Sequence, residues 1–169
     1  MSKTLIMNLF TKVSSVPNIC ALYFDLSGKS IAFDPDDVNF HHTVVSNGLI
    51  QESYFQKSTV QFSEKASETT PGTKIEQTLT VSFNSSDEKR SERIMELMGV
   101  RHIIIKLTNG ETLIMGRNDY FQNKKPLVTI NSNHIKTTAE FYCESIIPIS
   151  RYIGNVLVGL PNILPLTLV

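Results

Sequence analysis

The chain has 169 residues, enough for one domain with a proper core and short for two. Its 16 Lys and Arg balance 16 Asp and Glu, so the formal net charge is zero. That balance excludes whole-molecule attraction to nucleic acid or to an anionic membrane, and it leaves self-association unopposed by long-range repulsion.

The N-terminal stretch MSKTLIMNLFTKVSSVPN carries a broken apolar run between Lys3 and Lys12 and no cleavable hydrophobic core, so no signal peptide is expected. From there the dominant period is two. Residues 19 to 24 (ICALYF) and 30 to 33 (SIAF) read as short strands joined through Asp25–Lys29, where Gly28 allows a positive φ. Asp34-Pro35-Asp36-Asp37 breaks the pattern, residues 38 to 45 (VNFHHTVV) resume it, and Asn47-Gly48 marks a reversal.

A long hairpin is predicted over about residues 52–83. Tyr54, Val60 and Phe62 share one parity in its first strand. Ile75, Leu79, Val81 and Phe83 share one face of the second, with Glu76, Thr78, Thr80 and Ser82 on the other. The linking loop, Ser67 to Thr73, contains Pro71-Gly72. A strand of about ten residues spans roughly 33 Å, so the far end of this hairpin should outrun its own core. That end is rich in Ser, Thr, Glu and Lys and fits an arm lying on solvent or on a neighbour.

One helix follows, over about residues 86–98. Ser85 is placed to cap it, with Glu88 three residues on, and Gly99 is placed as a left-handed stop. Ile94, Leu97 and Met98 form a narrow apolar stripe, so the helix should lie on a sheet with most of its girth wet. The next stretch, HIIIKLTNGETLIMGRN, turns through Asn109-Gly110, the strongest short-range hairpin signal. Ile103, Ile105 and Leu107 stand opposite Leu113 and Met115, while Ile104 and Ile114 take the other parity. Two apolar faces place this hairpin at the centre of a sandwich. Residues 127 to 131 and 135 to 143 complete the strands. The expected fold is therefore mainly β: a β-sandwich or partly closed barrel over residues 1–152, with one flanking helix and a long hairpin arm. The C-terminal segment 153–169 is apolar, but Gly154, Gly159, Pro161 and Pro165 interrupt it. A membrane span needs about 20 unbroken apolar residues, so docking on its own core or on a neighbouring subunit is expected instead.

Little in the sequence points to chemistry. His41 and His42 are adjacent on a strand and face opposite ways, His102 and His134 are distant, and no metal-ligand spacing emerges. Asp34-Pro35-Asp36-Asp37 lacks the spacing of a calcium loop and reads as a polar turn. Lys89, Arg90 and Arg93 form a basic helix patch with acidic partners Asp87, Glu88, Glu92 and Glu96 at helical distances, and Lys124-Lys125 sits in a loop. Cys20 and Cys143 are expected to be free thiols in apolar strands. No phosphate loop, nucleophile elbow or triad spacing stands out, so neither an enzyme nor a cofactor is expected.

The order of elements is itself informative: a long hairpin, one helix, the hairpin HIIIKLTNGETLIMGRNDYF, and the Thr-rich strand IKTTAEFYCESIIPI. Over residues 39 to 150 this resembles the tail-tube proteins of tailed bacteriophages and related neck or connector ring proteins. The resemblance implies a β-sandwich with one helix whose subunits join side by side into rings, a hexamer or dodecamer, in contact with adjacent tail or neck proteins. It implies a virion protein, made in the bacterial host cytoplasm, that lines a passage for DNA without gripping it and is not inserted in a membrane. Exposed sheet edges would then serve the ring, and the apolar tail would be covered when rings stack. The residues placed at subunit contacts are Tyr54, Phe55, Lys57, Thr59, Gln61, Lys74, Glu76, Thr78 and Thr80 on the hairpin, and Leu160, Leu164 and Leu166 in the tail. The alternative is a non-enzymatic β-sandwich that binds glycan or peptide; without Trp it offers little aromatic surface for sugar.

Overall fold

The computed structural model describes residues 17–26, 43–45, 50–53, 59–85, 89–119 and 124–153. Among these residues ten strands and one helix follow one another: β1 Ile19–Asp25, β2 Thr43–Val45, β3 Ile50–Ser53, β4 Gln61–Thr69, β5 Gly72–Asn84, α1 Arg90–Gly99, β6 His102–Leu107, β7 Thr112–Met115, β8 Leu127–Ser132, β9 Lys136–Ser145 and β10 Ser150–Ile153. They form a six-stranded sheet, ordered β2-β10-β7-β6-β1-β3, and a four-stranded sheet, ordered β4-β5-β9-β8. The expected β-sandwich with one helix is what the chain adopts, and neither sheet closes into a barrel.

Period-two alternation builds the core between the sheets. On β5, Ile75, Gln77, Leu79, Val81 and Phe83 are buried while the residues between them are mostly half-exposed. Thr137, Ala139, Phe141, Cys143 and Ser145 alternate in the same way on β9, and each lies directly opposite its β5 counterpart. From the other sheet, Leu22 and Phe24 of β1, Ile103 and Ile105 of β6 and Met115 of β7 close on them. The Phe24 and Phe141 rings meet at 5.5 Å between centroids and tie the two sheets together.

The β6–β7 hairpin occupies the two central positions of its sheet, as its sequence predicts. Ile104 and Ile114, paired in register, face away from the main core into a second buried cluster with Tyr23 and Tyr152. Its turn is a three-residue loop. Gly110 N donates to Leu107 O and Leu107 N to Glu111 O, with Gly110 at φ +87°. The Asn109 side chain caps the turn by accepting from Glu111 N at 3.0 Å.

Several boundaries differ from the sequence reading. The long hairpin is Gln61–Asn84, because Ile50–Ser53 pairs with β1 in the six-stranded sheet and not with the arm. Its turn is tighter than Ser67–Thr73, since Thr69 already pairs with Gly72, which sits at φ +135°. Pairing of β5 with β9 stops at Ile75. Only the Ser67–Lys74, Glu68–Thr73 and Thr69–Gly72 pairs project further, a short arm of roughly 10 Å.

Ser85 does not cap α1; its buried hydroxyl is bonded to Thr137 Oγ1 at 2.9 Å, and the cap position is Lys89. Gly99 is not left-handed either. The helix ends at Val100, which returns to extended backbone (φ −58°, ψ 131°) and donates to Leu97 O. On the helix, Leu97 enters the core, Ile94 is half-buried, and Met98 stays 45 % exposed, because the first turn leans on the sheet through Arg93 over the Phe83 ring at 5.8 Å. Finally, Ile153, where the apolar segment begins, belongs to sheet strand β10, Ser150–Ile153, held antiparallel to β7 and parallel to β2.

Candidate assembly surface

Alternation along β4, β5, β8 and β9 leaves one side of the four-stranded sheet facing outward. Cross-strand register arranges it in rows. Lys65, Glu76 and Glu144 form one row, and Ser63, Thr78, Tyr142 and Leu127 the next. Gln61, Thr80, Glu140 and Thr129 form a third. Of the residues placed at contacts from sequence, Gln61, Lys74, Glu76, Thr78 and Thr80 therefore share one surface, and Thr59 is half-buried just before β4. Tyr54, Phe55, Lys57, Leu160, Leu164 and Leu166 lie outside the described residues, as do His41, His42 and the Asp34–Asp37 turn.

The sequence reading missed the β9 contribution. Lys74 Nζ lies 2.9 Å from Glu76 Oε1 and 2.7 Å from Glu144 Oε1, and the Tyr142 hydroxyl donates to the same Glu144 oxygen at 3.0 Å. Hydrogen bonding to Lys74 holds both carboxyls below the usual glutamate range, and hydrogen bonding to Glu144 and then Glu76 raises the Lys74 ammonium. Burial and the Glu144 bond raise the Tyr142 phenol. The alternating IKTTAEFYCES pattern contained the signal, since Glu140, Tyr142 and Glu144 share a parity opposite the apolar one. The result is a mixed-charge face on which Lys74, Glu76, Tyr142 and Glu144 are held by one another; Leu127, 69 % exposed, stands at its β8 margin.

Both lateral edges of this sheet are strand edges among the described residues. β4, mostly exposed along Gln61–Thr69, has β5 as its one strand neighbour, and β8 has β9. The β8 edge is approached by α1, from which Arg90 donates to the Ser132 hydroxyl at 2.5 Å. Two cations of the basic helix patch, Arg90 and Arg93, are thus engaged on the protein's own sheet, and Lys125 donates to Met98 O at the helix end, where a cation is favoured.

The inner side of the hairpin is fixed by polar contacts. Glu64 Oε1 accepts from Gln77 Nε2 at 3.0 Å and from Ile149 N at 2.7 Å. Ser145 donates to backbone carbonyls around Arg117, Asn118 and Ile147, and its oxygen accepts from Ile147 N. Arg117 donates to the Ser150 hydroxyl, and burial pushes its guanidinium down to about 10. Buried His102 meets Asp25 Oδ2 at 2.9 Å. These groups hold loops to strands and do not converge on an open cleft. Among the described residues no three His, Cys, Asp or Glu side chains are grouped to hold a metal, and no helix is long and apolar enough to cross a membrane. Cys20 and Cys143 are free thiols. Cys143 is buried, and Cys20 sits half-buried at a register shift between Ile19 and Ala21 on β1. No family model, no curated protein and no solved structure matches the chain.

Proposed function

We propose that the chain is a structural subunit of a tailed-bacteriophage tail tube or neck, associating side by side into a closed ring around the DNA passage. The observation that carries this reading is the pair of edges on one sheet. β4 and β8 lie at opposite ends of the same four strands, so a head-to-tail contact between the β4 edge of one copy and the β8 edge of the next uses two different surfaces and repeats. Heterologous contacts of that kind close into rings when the rotation per subunit permits. The polar outer face adds to this. Lys65 and Lys74 balance Glu76 and Glu144 locally, and the chain as a whole carries no net charge, so a passage lined by it would let DNA slide.

Negative-stain microscopy of the purified protein, combined with its mass in solution, tests the reading. Rings or short tubes of six or twelve copies are expected. A protein that stays monomeric at high concentration, and that no tail or neck protein drives to assemble, overturns it.

A further inference from the structure

The two sheets differ in width by two strands, roughly 10 Å, so among the described residues the wider sheet extends past the narrower one. Beside β4 the gap between them opens as a groove of about 670 Å³, lined by the apolar side chains of Ile19, Val60, Phe62, Ile105, Leu107 and Leu113. Ile105 belongs to the core and the other five are its half-buried fringe, so the groove floor is the core itself reaching the surface. Sheet register extends that side of the sheet outward across β10, where Arg151, paired with Glu111 at 3.6 Å, stands between Leu113 and Ile153. Arg151 of β10 lies directly opposite Leu113, and Ile153, two residues on and on the same side of the sheet, is 58 % exposed. Among the described residues this side of the sheet therefore runs from the groove past Arg151 to the point where the chain leaves β10.

We infer that this groove is the docking site of the chain's own C-terminal segment, with Val156, Leu157, Val158 and Leu160 covering Phe62, Leu107 and Leu113. Three observations select this occupant. The segment is uncharged and mostly apolar, matching the apolar floor of a lining whose rim adds Asn18, Gln61, Ser63, Thr78 and Thr80 but no charged residue. It begins at Ile153, within about 10 Å of Leu113 by strand spacing and rise. Gly154, next in the chain, permits the turn that brings it back toward the groove. Proximity also decides between the chain's own tail and that of a second copy. A segment tethered so closely is present at an effective concentration on the order of millimolar, far above that of free protein in dilute solution. Pro161 and Pro165 limit the docked part to the residues before them.

The test uses the intact chain, the chain ending at Ile153, and a synthetic peptide of residues 154–169. The shortened chain should bind the peptide one to one, and the intact chain should not, because its groove is filled. Leu113→Asp in the shortened chain should lower peptide affinity at least tenfold. In the intact protein, thermolysin, which cuts beside apolar residues, should remove the tail at least ten times faster from Leu113→Gln than from the unsubstituted chain, and tail resistance should not vary with protein concentration. That second measurement stands even where the shortened chain fails to fold. A tail cleaved equally fast in both proteins overturns the inference, as does peptide binding by the intact chain. Resistance that grows with concentration, alongside a doubled or larger mass, assigns the groove to a second copy and likewise overturns it. Ring assembly is read by microscopy and mass, so its failure leaves these outcomes intact.

Discussion

Glu64 and Ile149, 85 residues apart in sequence, meet at 2.7 Å, and the same carboxylate oxygen also accepts from buried Gln77. One side chain thereby fastens the hairpin to the loop that leads into β10, and so one sheet to the other. Glu64→Ala removes an ionic acceptor and leaves Gln77 Nε2 with the 3.5 Å contact to Ile147 O. A loss of about 1 kcal/mol is expected, since Gln77 keeps its weaker contact to Ile147 O and the site of Glu64 is open to water. Glu64→Gln, which keeps an acceptor oxygen, should lose less. Urea unfolding monitored by circular dichroism measures both.

The Lys74 ion pairs make a prediction about acid. Both Glu76 and Glu144 have folded-state pKa values depressed by hydrogen bonding to Lys74. A depressed carboxyl contributes stability that is fully present above its unfolded value of 4.5 and is lost as pH falls through the folded value. The melting temperature of Lys74→Met should therefore lie below that of the unsubstituted chain at pH 7, with the gap closing as pH falls below 4.5. Both pairs are solvent-exposed, so the gap should be small and should shrink in high salt. A gap that persists at acid pH would mean that Lys74 acts through packing of its stem.

How far this arrangement could be read from sequence depends on how local its causes are. The alternation of Ile75, Leu79, Val81 and Phe83 shows in the sequence which side of β5 is buried, and Gln61, Lys74, Glu76, Thr78 and Thr80 share the opposite side. The two-faced apolar character of Ile103–Ile105 and Ile114 likewise places β6 and β7 centrally. What failed was non-local. Ile50–Ser53 has nothing in its own pattern to say that it pairs with β1, and the parallel β2–β10 pairing joins Val44 to Tyr152 across most of the chain. Ser85 has the look of a helix cap, yet Thr137, 52 residues on, takes its hydroxyl. Local propensity yields where a buried polar group finds a distant partner.

The Leu-Ile-Met-Gly-Arg-Asn run at the end of β7 hides a constraint of the same distant kind. Gly116 has φ +104°, and a Cβ there would fall on the Arg101 carbonyl oxygen and against His102 Cα. Gly116→Ala meets both an unfavourable backbone region, at about 1–3 kcal/mol, and a backbone clash that no side-chain rotation relieves. It should destabilise the fold more than Glu64→Ala or Lys74→Met does. Gly110, at φ +87° with open space around it, should lose less on the same change, since it meets the backbone strain alone. Denaturant midpoints of the two glycine variants, measured side by side, test the ordering.

The thiols supply a probe that reports on the core. Burial, and then the charge of Glu144, push Cys143 up to about 11 from the ordinary 9.0. Reaction with a disulfide reagent requires the thiolate, so Cys143 should be silent at pH 8 in the folded protein, while half-buried Cys20 reacts. One equivalent is expected under native conditions and two in denaturant. The raised value also carries a stability consequence. Between pH 9 and 11 the folded chain holds a proton that the unfolded chain gives up, so stability should fall as pH rises through that window, and Cys143→Ala should remove this part of the fall. Two fast equivalents at pH 8 in the native protein would mean that β9 opens locally at Cys143 on the timescale of the reaction. In that case the four-stranded sheet could not serve as the rigid frame on which the proposed edge-to-edge association depends.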